Sequence, residues 1–354
     1  MTILVTGGAG FIGSNFIVEW FKLSNEQVIN IDKLTYASSL NNLTNNIETS
    51  KSYKFIHGDI CDGELLKNVF KNNEINAVIN FAAESHVDRS IINPEAFIQT
   101  NIVGTYKLLL ASHDYLQNNP NDDFRFIHVS TDEVYGNLEE NDPPFKESNA
   151  FRPNSPYSAS KAASDHLARA FNKTYDLPVI ISNCSNNYGP FQFPEKLIPL
   201  VINNALKKEA ITIYGDGNQI RDWLYVKDHC SALRDLLLKG VVGKTYNIGG
   251  NAEKTNNEVV HMICDILDEL CPREDTLSYK EQIKYIKDRP GHDRRYSVDC
   301  SMLMNTLNWS QVDNFDTGIR KTIKWYLDNP NWLDDNQTKD LKKWIDDQYN
   351  GDKQ

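Results

Sequence analysis

Short apolar runs at 3–6, 28–31, 54–56, 77–81, 126–130 and 179–182 alternate with longer stretches whose apolar residues recur at helical spacing. The runs are continuous rather than alternating and are rich in Val, Ile and Phe, as strands covered on both faces must be. Strands that alternate with helices assemble as βαβ units, so the first half of the chain is expected to be a doubly wound parallel α/β sheet. After residues 186–190 the pattern changes. The stretch 190–199 carries Pro, Phe and Lys and reads as a loop leading into a helix near 200–207. Helical spacing over 228–239, then a strand-like run at 245–248 before Gly249-Gly250, predicts a return to the first lobe. The expected division is 1–185 plus about 224–252 for one domain, and 186–223 plus about 253–354 for a smaller, mixed lobe. Its polar end, 338–354, is expected to hold one amphipathic turn through Leu341, Trp344 and Ile345.

Composition narrows the class. Of 354 residues, 40% are hydrophobic and 24% charged, the balance of a folded globular chain. Lys and Arg number 37 against 48 Asp and Glu, and the net charge of −11 opposes non-specific attraction to nucleic acid or anionic membrane. Any phosphate site must therefore be local. No uncharged apolar stretch approaches the roughly 20 residues that span a bilayer, and the first apolar run has no basic segment before it, so no signal peptide is expected. Six scattered cysteines without a C-x-x-C pair predict reduced thiols, no metal site and a cytoplasmic location.

The local phosphate site is legible at the first strand. Gly7-Gly8-Ala9-Gly10-Phe11-Ile12-Gly13 follows it directly and opens a helical pattern at 14–23, the context in which G-x-G-x-x-G acts as a dinucleotide fingerprint. One glycine makes the tight turn, another lets backbone approach the pyrophosphate, and the last allows close helix packing; the helix N-terminus then offers N–H donors to the anion. Asp32, ending the second strand, is placed to accept from ribose hydroxyls and to repel the extra phosphate of NADP. NAD is the expected cofactor, with the adjacent Lys33 as a cation that could tolerate that phosphate. Gly58-Asp59-Ile60 and Phe81-Ala82-Ala83-Glu84-Ser85 fall at later strand ends, where the crevice of such a Rossmann-type sheet lies.

A second set of residues carries acid–base chemistry. In Tyr157-Ser158-Ala159-Ser160-Lys161 a phenol and an ammonium share one helix face. A phenol of ordinary pKa near 10 is a poor base at neutral pH; the Lys161 cation, aided by a positive nicotinamide ring, is expected to lower it. The run Ser130-Thr131-Asp132-Glu133 places two carboxyl groups after the fifth strand.

Together these motifs resemble the extended short-chain dehydrogenase/reductase family over nearly the whole chain, and Thr131-Asp132-Glu133 resembles the signature of its nucleotide-sugar 4,6-dehydratases. So do Asp32-Lys33-Leu34-Thr35-Tyr36-Ala37, the stretches 82–90 and 185–190, and Asp288-Arg289-Pro290-Gly291-His292-Asp293. The resemblance implies that NAD is lined by Gly7, Gly10, Phe11, Ile12, Gly13, Asp32, Lys33, Leu34, Thr35, Asp59, Ile60, Ala82, Ala83, Glu84, Ser85, Thr100, Tyr157, Lys161 and Asn187. It implies that a nucleotide sugar, dTDP-glucose, meets Ser85, Thr131, Asn186, Lys196, Leu197, Tyr214, Arg221, Asn256, Asp288, Arg289, Pro290, Gly291 and His292. Arg221 and Arg289 suit a diphosphate as forked donors.

Elimination of water needs a base and an acid, which gives the carboxyl pair a use. With C4 a ketone, Glu133 would take the C5 proton while a protonated Asp132 donates to the departing O6 hydroxyl; Thr131 would bond the C4 oxygen, and Tyr157 with Lys161 would serve the oxidation. UDP-glucose stays open as substrate, because one methyl contact decides only about 1–3 kcal/mol. A 4-epimerase or decarboxylase of the same fold would have no use for an acid at O6, and a silent NAD-binding sensor none for the full set. The family also implies a homodimer through helices containing 107–116 and 158–171. Ser38-Ser39 and Asn183 depart from the family pattern, and His86 is expected to be structural.

Overall fold

The computed structural model describes residues 1–43, 45–288 and 291–335. Its strands, in chain order, are β1 (Thr2–Thr6), β2 (Gln27–Asp32), β3 (Tyr53–His57), β4 (Ala77–Asn80), β5 (Arg125–Thr131), β6 (Val179–Cys184), β7 (Asn186–Tyr188), β8 (Ile211–Tyr214), β9 (Ile220–Tyr225), β10 (Thr245–Ile248), β11 (Glu253–Thr255) and β12 (Ile283–Ile286). Seven of them make one sheet in the order β10-β6-β5-β4-β1-β2-β3, with every pairing parallel. The expected return to the first lobe is real: β10 adds to the sheet edge beside β6.

The longer helices are α1 (Phe11–Leu23), α2 (Gly63–Asn72), α3 (Thr105–Asn118), α4 (Pro156–Tyr175), α5 (Leu197–Leu206), α6 (Val226–Lys239), α7 (Asn256–Leu270) and α8 (Phe315–Asp328). Successive strand residues point to opposite faces, and each face has its own core. Ile3 and Val5 pack with Phe16, Ile17 and Trp20 of α1 and with Leu233, Leu236 and Leu237 of α6. Leu4 between them faces the other way, into Leu66 and Phe70 of α2, Leu108 and Leu109 of α3, and Phe171 of α4. That two-sided burial is why the strands read as unbroken apolar runs.

A further core holds the smaller part of the chain. Ile198 and Val201 of α5, Val259, Ile263 and Leu267 of α7, and Ile319 and Ile323 of α8 close around Ile211, Ile213, Trp223 and Tyr225. Its strands form a mixed three-stranded sheet, β11-β9-β7, and the parallel pair β12-β8. Helix α5 begins three residues before the expected start, with Pro199 inside its first turn. The first helical N–H groups need no intrahelical acceptor, so proline there breaks nothing. The amphipathic turn expected in 338–354 lies outside the described residues.

Candidate functional site

In sheet order the chain reverses between β1 and β4, and a crevice opens at such a switch point beyond the strand C-termini. A cavity of about 300 Å³ lies there. Its lining brings together Gly7, Gly10, Phe11, Ile12, Gly13, Asp32, Lys33, Thr35, Asp59, Ile60, Ala82, Ala83, Glu84, Ser85, Thr100 and Asn187, the five residues Thr131, Asp132, Glu133, Tyr157 and Lys161, and also Asn186 and Lys196.

The glycine turn is a cradle that side chains could not occupy. Gly7 has φ +71°, and a Cβ on it would sit 2.6 Å from the Ala82 amide nitrogen; one on Gly13 would sit 2.3 Å from the Gly7 carbonyl. The Gly7 N–H donates to Ile31 O at 2.9 Å. Asp32 is buried and holds the turn, accepting from the Ala9 N–H at 2.9 Å and the Leu34 N–H at 2.8 Å. Leu34 contributes that amide, and its neighbours Lys33 and Thr35 line the cavity. Lys33 is paired with Asp59, Nζ to Oδ2 at 2.7 Å, which keeps its pKa up. Its cation is committed to that carboxylate rather than held ready for a phosphate.

Helix α4 is positioned by its cap. Ser155 Oγ accepts from the Ser158 N–H at 3.1 Å, Ser158 Oγ accepts from the Ser155 N–H at 3.1 Å, and Pro156 starts the helix. Tyr157 and Lys161, one turn apart, thus face the cavity together. Beside them, residues 98–104 form a π-helical segment that carries Thr100, a distortion common at functional sites. Asn101 ties it to the Glu84 loop and to α4, donating to Glu84 O at 3.0 Å and Ser160 Oγ at 2.8 Å.

The electrostatics of Tyr157 differ from the expectation. Burial, then the Glu133 carboxylate, hold its pKa well above the ordinary value, while a hydrogen bond with Thr131 pulls it down. The Lys161 ammonium donates to Val129 O at 2.8 Å, and burial lowers its pKa although Asp165 opposes this. Asp132 is 1% exposed, and its carboxyl is pushed well above the carboxylate range by burial, then by Glu133 and Asp222. Thr131 donates to Asp132 Oδ1 at 3.2 Å, and its own Oγ accepts from the Glu133 N–H at 3.3 Å. Among the described residues Asp132 Oδ2, Ser130 Oγ and Asn186 Oδ1 are buried without hydrogen-bond partners. Buried polar atoms left so are what a site built for a polar ligand presents.

The remaining candidates form a separate knot around β8 and β9 rather than lining the cavity. His292 Nδ1 meets Asp288 Oδ1 at 2.6 Å, Gln219 donates to Asp288 Oδ2 at 3.0 Å, and the Asn256 N–H donates to Gln219 O at 3.1 Å. Tyr214 rests edge-on to His292 with centroids 6.2 Å apart. Arg221 donates to Asp293 O at 3.0 Å and lies over the Tyr296 ring at 4.5 Å. Gly291 adopts φ +65° in this loop, Leu197 opens α5, and Arg289 and Pro290 lie outside the described residues. The knot still reaches the carboxyl pair: Arg221 opposes the burial that raises the Asp132 pKa, and Glu133 adds to the burial that raises that of Tyr296.

Sequence reasoning missed Gln192, Phe193 and Glu195 of the lining; these sit in a segment without periodicity. Asn183, one of the departures, is structural, donating to Thr131 O at 3.2 Å and Asp165 Oδ2 at 2.9 Å. Ser38 lines the cavity. His86 is buried, precedes the short helix Val87–Ile92 and is not among the lining residues.

The sequence model of the GDP-mannose 4,6 dehydratase family matches residues 4–322. The chain is 52% identical to the dTDP-glucose 4,6-dehydratase of Shigella flexneri, covering 99% of each chain. The crystal structure of the dTDP-glucose 4,6-dehydratase of Bacillus anthracis in complex with NAD is similar at a TM-score of 0.84 and 44% identity, over 95% of this chain and 100% of that one. That of Streptomyces venezuelae, also with NAD bound, reaches 0.87 and 40% over the same shares.

Proposed function

Because this chain belongs to the GDP-mannose 4,6 dehydratase family, and within it to the dTDP-glucose 4,6-dehydratases, we propose that its cavity converts dTDP-glucose to the 4-keto-6-deoxy sugar nucleotide. The enzyme is an NAD-dependent dehydratase. The observation that carries the reading is the carboxyl pair: a buried Asp132, whose burial favours its acid form, beside Glu133 and joined to Tyr157 through Thr131.

The residues present fit NAD. The cradle at Gly7 and Gly13 excludes any side chain, and Phe11, Ile12, Asp32, Lys33, Asp59, Ile60, Ala82, Ala83, Glu84, Ser85, Thr100 and Asn187 surround the remaining length of the cavity. NAD, when bound, supplies the hydride acceptor for C4 and the donor for C6, and its positive ring offsets the burial that holds Tyr157 neutral. Tyr157 takes the O4 proton, with Thr131 fixing the hydroxyl it acts on and Lys161 anchoring the cofactor side. Once C4 is a ketone, the C5 proton is acidic and Glu133 removes it. Asp132 gives its proton to O6, and water leaves. Asn186 and Lys196 at the cavity, with Arg221, Tyr214, Asn256, Asp288 and His292 in the adjoining knot, are the proposed contacts of the nucleotide diphosphate.

A 4-epimerase would need no acid for O6, and a second, buried carboxyl group at Asp132 beside Glu133 disfavours that reading. The test is incubation of NAD-loaded protein with dTDP-glucose and no added reductant, followed by mass spectrometry: a 4-keto-6-deoxy product is expected, and its absence would refute the proposal. Kcat/KM for dTDP-glucose is expected to exceed that for UDP-glucose.

The product suits deoxysugar formation such as that of rhamnose. No described helix is long and apolar enough to cross a membrane. A homodimer through α3 and α4 is supported by Tyr106 and Tyr175 on these helices, 39% and 50% exposed. Sedimentation at micromolar concentration should give twice the chain mass, and a monomer would contradict the dimer.

A further inference from the structure

One buried carboxylate in the cavity wall has no place in the acid–base scheme. Glu195 follows β7 in the chain, yet its side chain is only 1% exposed and is engaged by two segments from elsewhere in the molecule. The Tyr36 hydroxyl donates to Oε1 at 3.0 Å, and the Arg89 Nε–H donates to Oε2 at 2.9 Å. The Arg89 guanidinium in turn lies 3.9 Å above the Tyr36 ring, and Phe193 meets that ring edge-on with centroids 5.5 Å apart. Lys196, next in sequence, donates to Ser85 O at 2.9 Å.

The topology gives these contacts their meaning. Tyr36 belongs to the loop after β2, whose Thr35 and Ala37 line the cavity, and Arg89 follows the lining loop after β4. In the sheet β2 and β4 flank β1, whereas β6, which leads into β7, lies two strands beyond β4. The segment carrying Glu195 must therefore cross back over the strand ends, and Pro190 O marks the crossing by accepting from Asn15 of α1 at 2.9 Å. Because Gln192, Phe193, Glu195 and Lys196 themselves line the cavity, the crossing chain forms part of its wall.

We propose that Glu195 is a positioning residue of the cofactor site, a clasp that ties the crossing segment to the loops after β2 and β4 and thereby retains NAD between turnovers. This rests on the reading of the cavity as an NAD site. The carboxylate suits the task because both of its oxygens are used at once, one by a neutral hydroxyl and one by a guanidinium, and charge-assisted bonds of this kind are the strong ones. Glutamine has the same shape but only one acceptor oxygen, and its amide would turn N–H groups toward a donor.

The experiment loads full-length protein with NAD and follows its release by fluorescence on dilution into an NAD-scavenging buffer. Wild-type protein retaining NAD establishes the site; wild-type protein that binds none would refute the cofactor reading and the clasp with it. Glu195→Gln should release NAD about tenfold faster, the scale of one strong hydrogen bond. Its turnover in dilute solution should come to depend on added NAD. Tyr36→Phe keeps the ring against Arg89 and Phe193 but removes the hydroxyl, and should move release in the same direction by less. It decides the matter if the Glu195 variant fails to fold. Retention of NAD by wild-type protein together with unchanged release from the folded variants would overturn the clasp while leaving the cofactor reading intact.

Discussion

At the residue scale the account turns on two neighbouring carboxyl groups with unlike surroundings. Glu133→Gln preserves shape but removes a base, so it should still oxidise C4 and accumulate a 4-keto sugar that keeps its C6 hydroxyl, with deuterium exchange at C5 slowed by at least tenfold. Asp132→Asn should keep C5 exchange and lose elimination; rapid quench with a C5 label separates the two blocks. Asp132 also links pH to stability. Its folded pKa is raised by burial, so the folded state favours the protonated form. Its contribution is fully present below the ordinary carboxyl pKa of about 3.9 and is lost as pH rises toward the folded pKa. Asparagine carries no such proton. The melting temperature of Asp132→Asn should therefore fall less than that of wild type between pH 5 and 8, the range chosen for calorimetry, and parallel curves would show that Asp132 is ionised in the folded protein. The carboxyl pair, Tyr157 and Lys161 were all legible as motifs. The direction of the Tyr157 pKa was not, because the Lys161 ammonium bonds the Val129 carbonyl and burial prevails, which no spacing of residues reveals.

At the element scale the site depends on how α1 and α4 begin. Ser155→Ala removes the cap that sets Tyr157 at the second helical position; such losses cost about 1 kcal/mol, or about 2–4 °C for a large domain. Activity should fall further than stability alone dictates, because the phenol moves with the helix start; activity unchanged alongside a lowered melting temperature would show that the cap only stabilises. Gly7→Ala is harsher. It demands a left-handed backbone and brings Cβ within 2.6 Å of the Ala82 nitrogen, so NAD binding measured by equilibrium dialysis should be lost. The sequence announced the start of α1 through Gly7 to Gly13, and for α4 it announced the shared helix face of Tyr157 and Lys161 but not the Ser155 cap. It did not announce the early start of α5, where Pro199 reads as a breaker although the first turn tolerates it, nor the π-helical turn at Thr100, which leaves no mark in residue type.

At the scale of the whole molecule, strands covered on both faces made the large sheet readable, and Thr245–Ile248 could be returned to it from its apolar pattern alone. The crossing of the segment around Glu195, and the separation of Arg221, Tyr214 and Asp288 from the main cavity, depend on contacts between residues far apart in the chain, 159 positions for Tyr36 with Glu195 and 69 for Gln219 with Asp288. Local pattern carries no record of those. The same long-range assembly is what allows one cavity to complete a closed cycle, with the hydride taken from C4 returned to C6 of the same sugar. The most direct measurement is turnover of dTDP-glucose carrying deuterium at C4, in ordinary water without added reductant. The account predicts a 4-keto-6-deoxy product with that deuterium in the C6 methyl group, and deuterium lost to solvent or retained at C4 would contradict it.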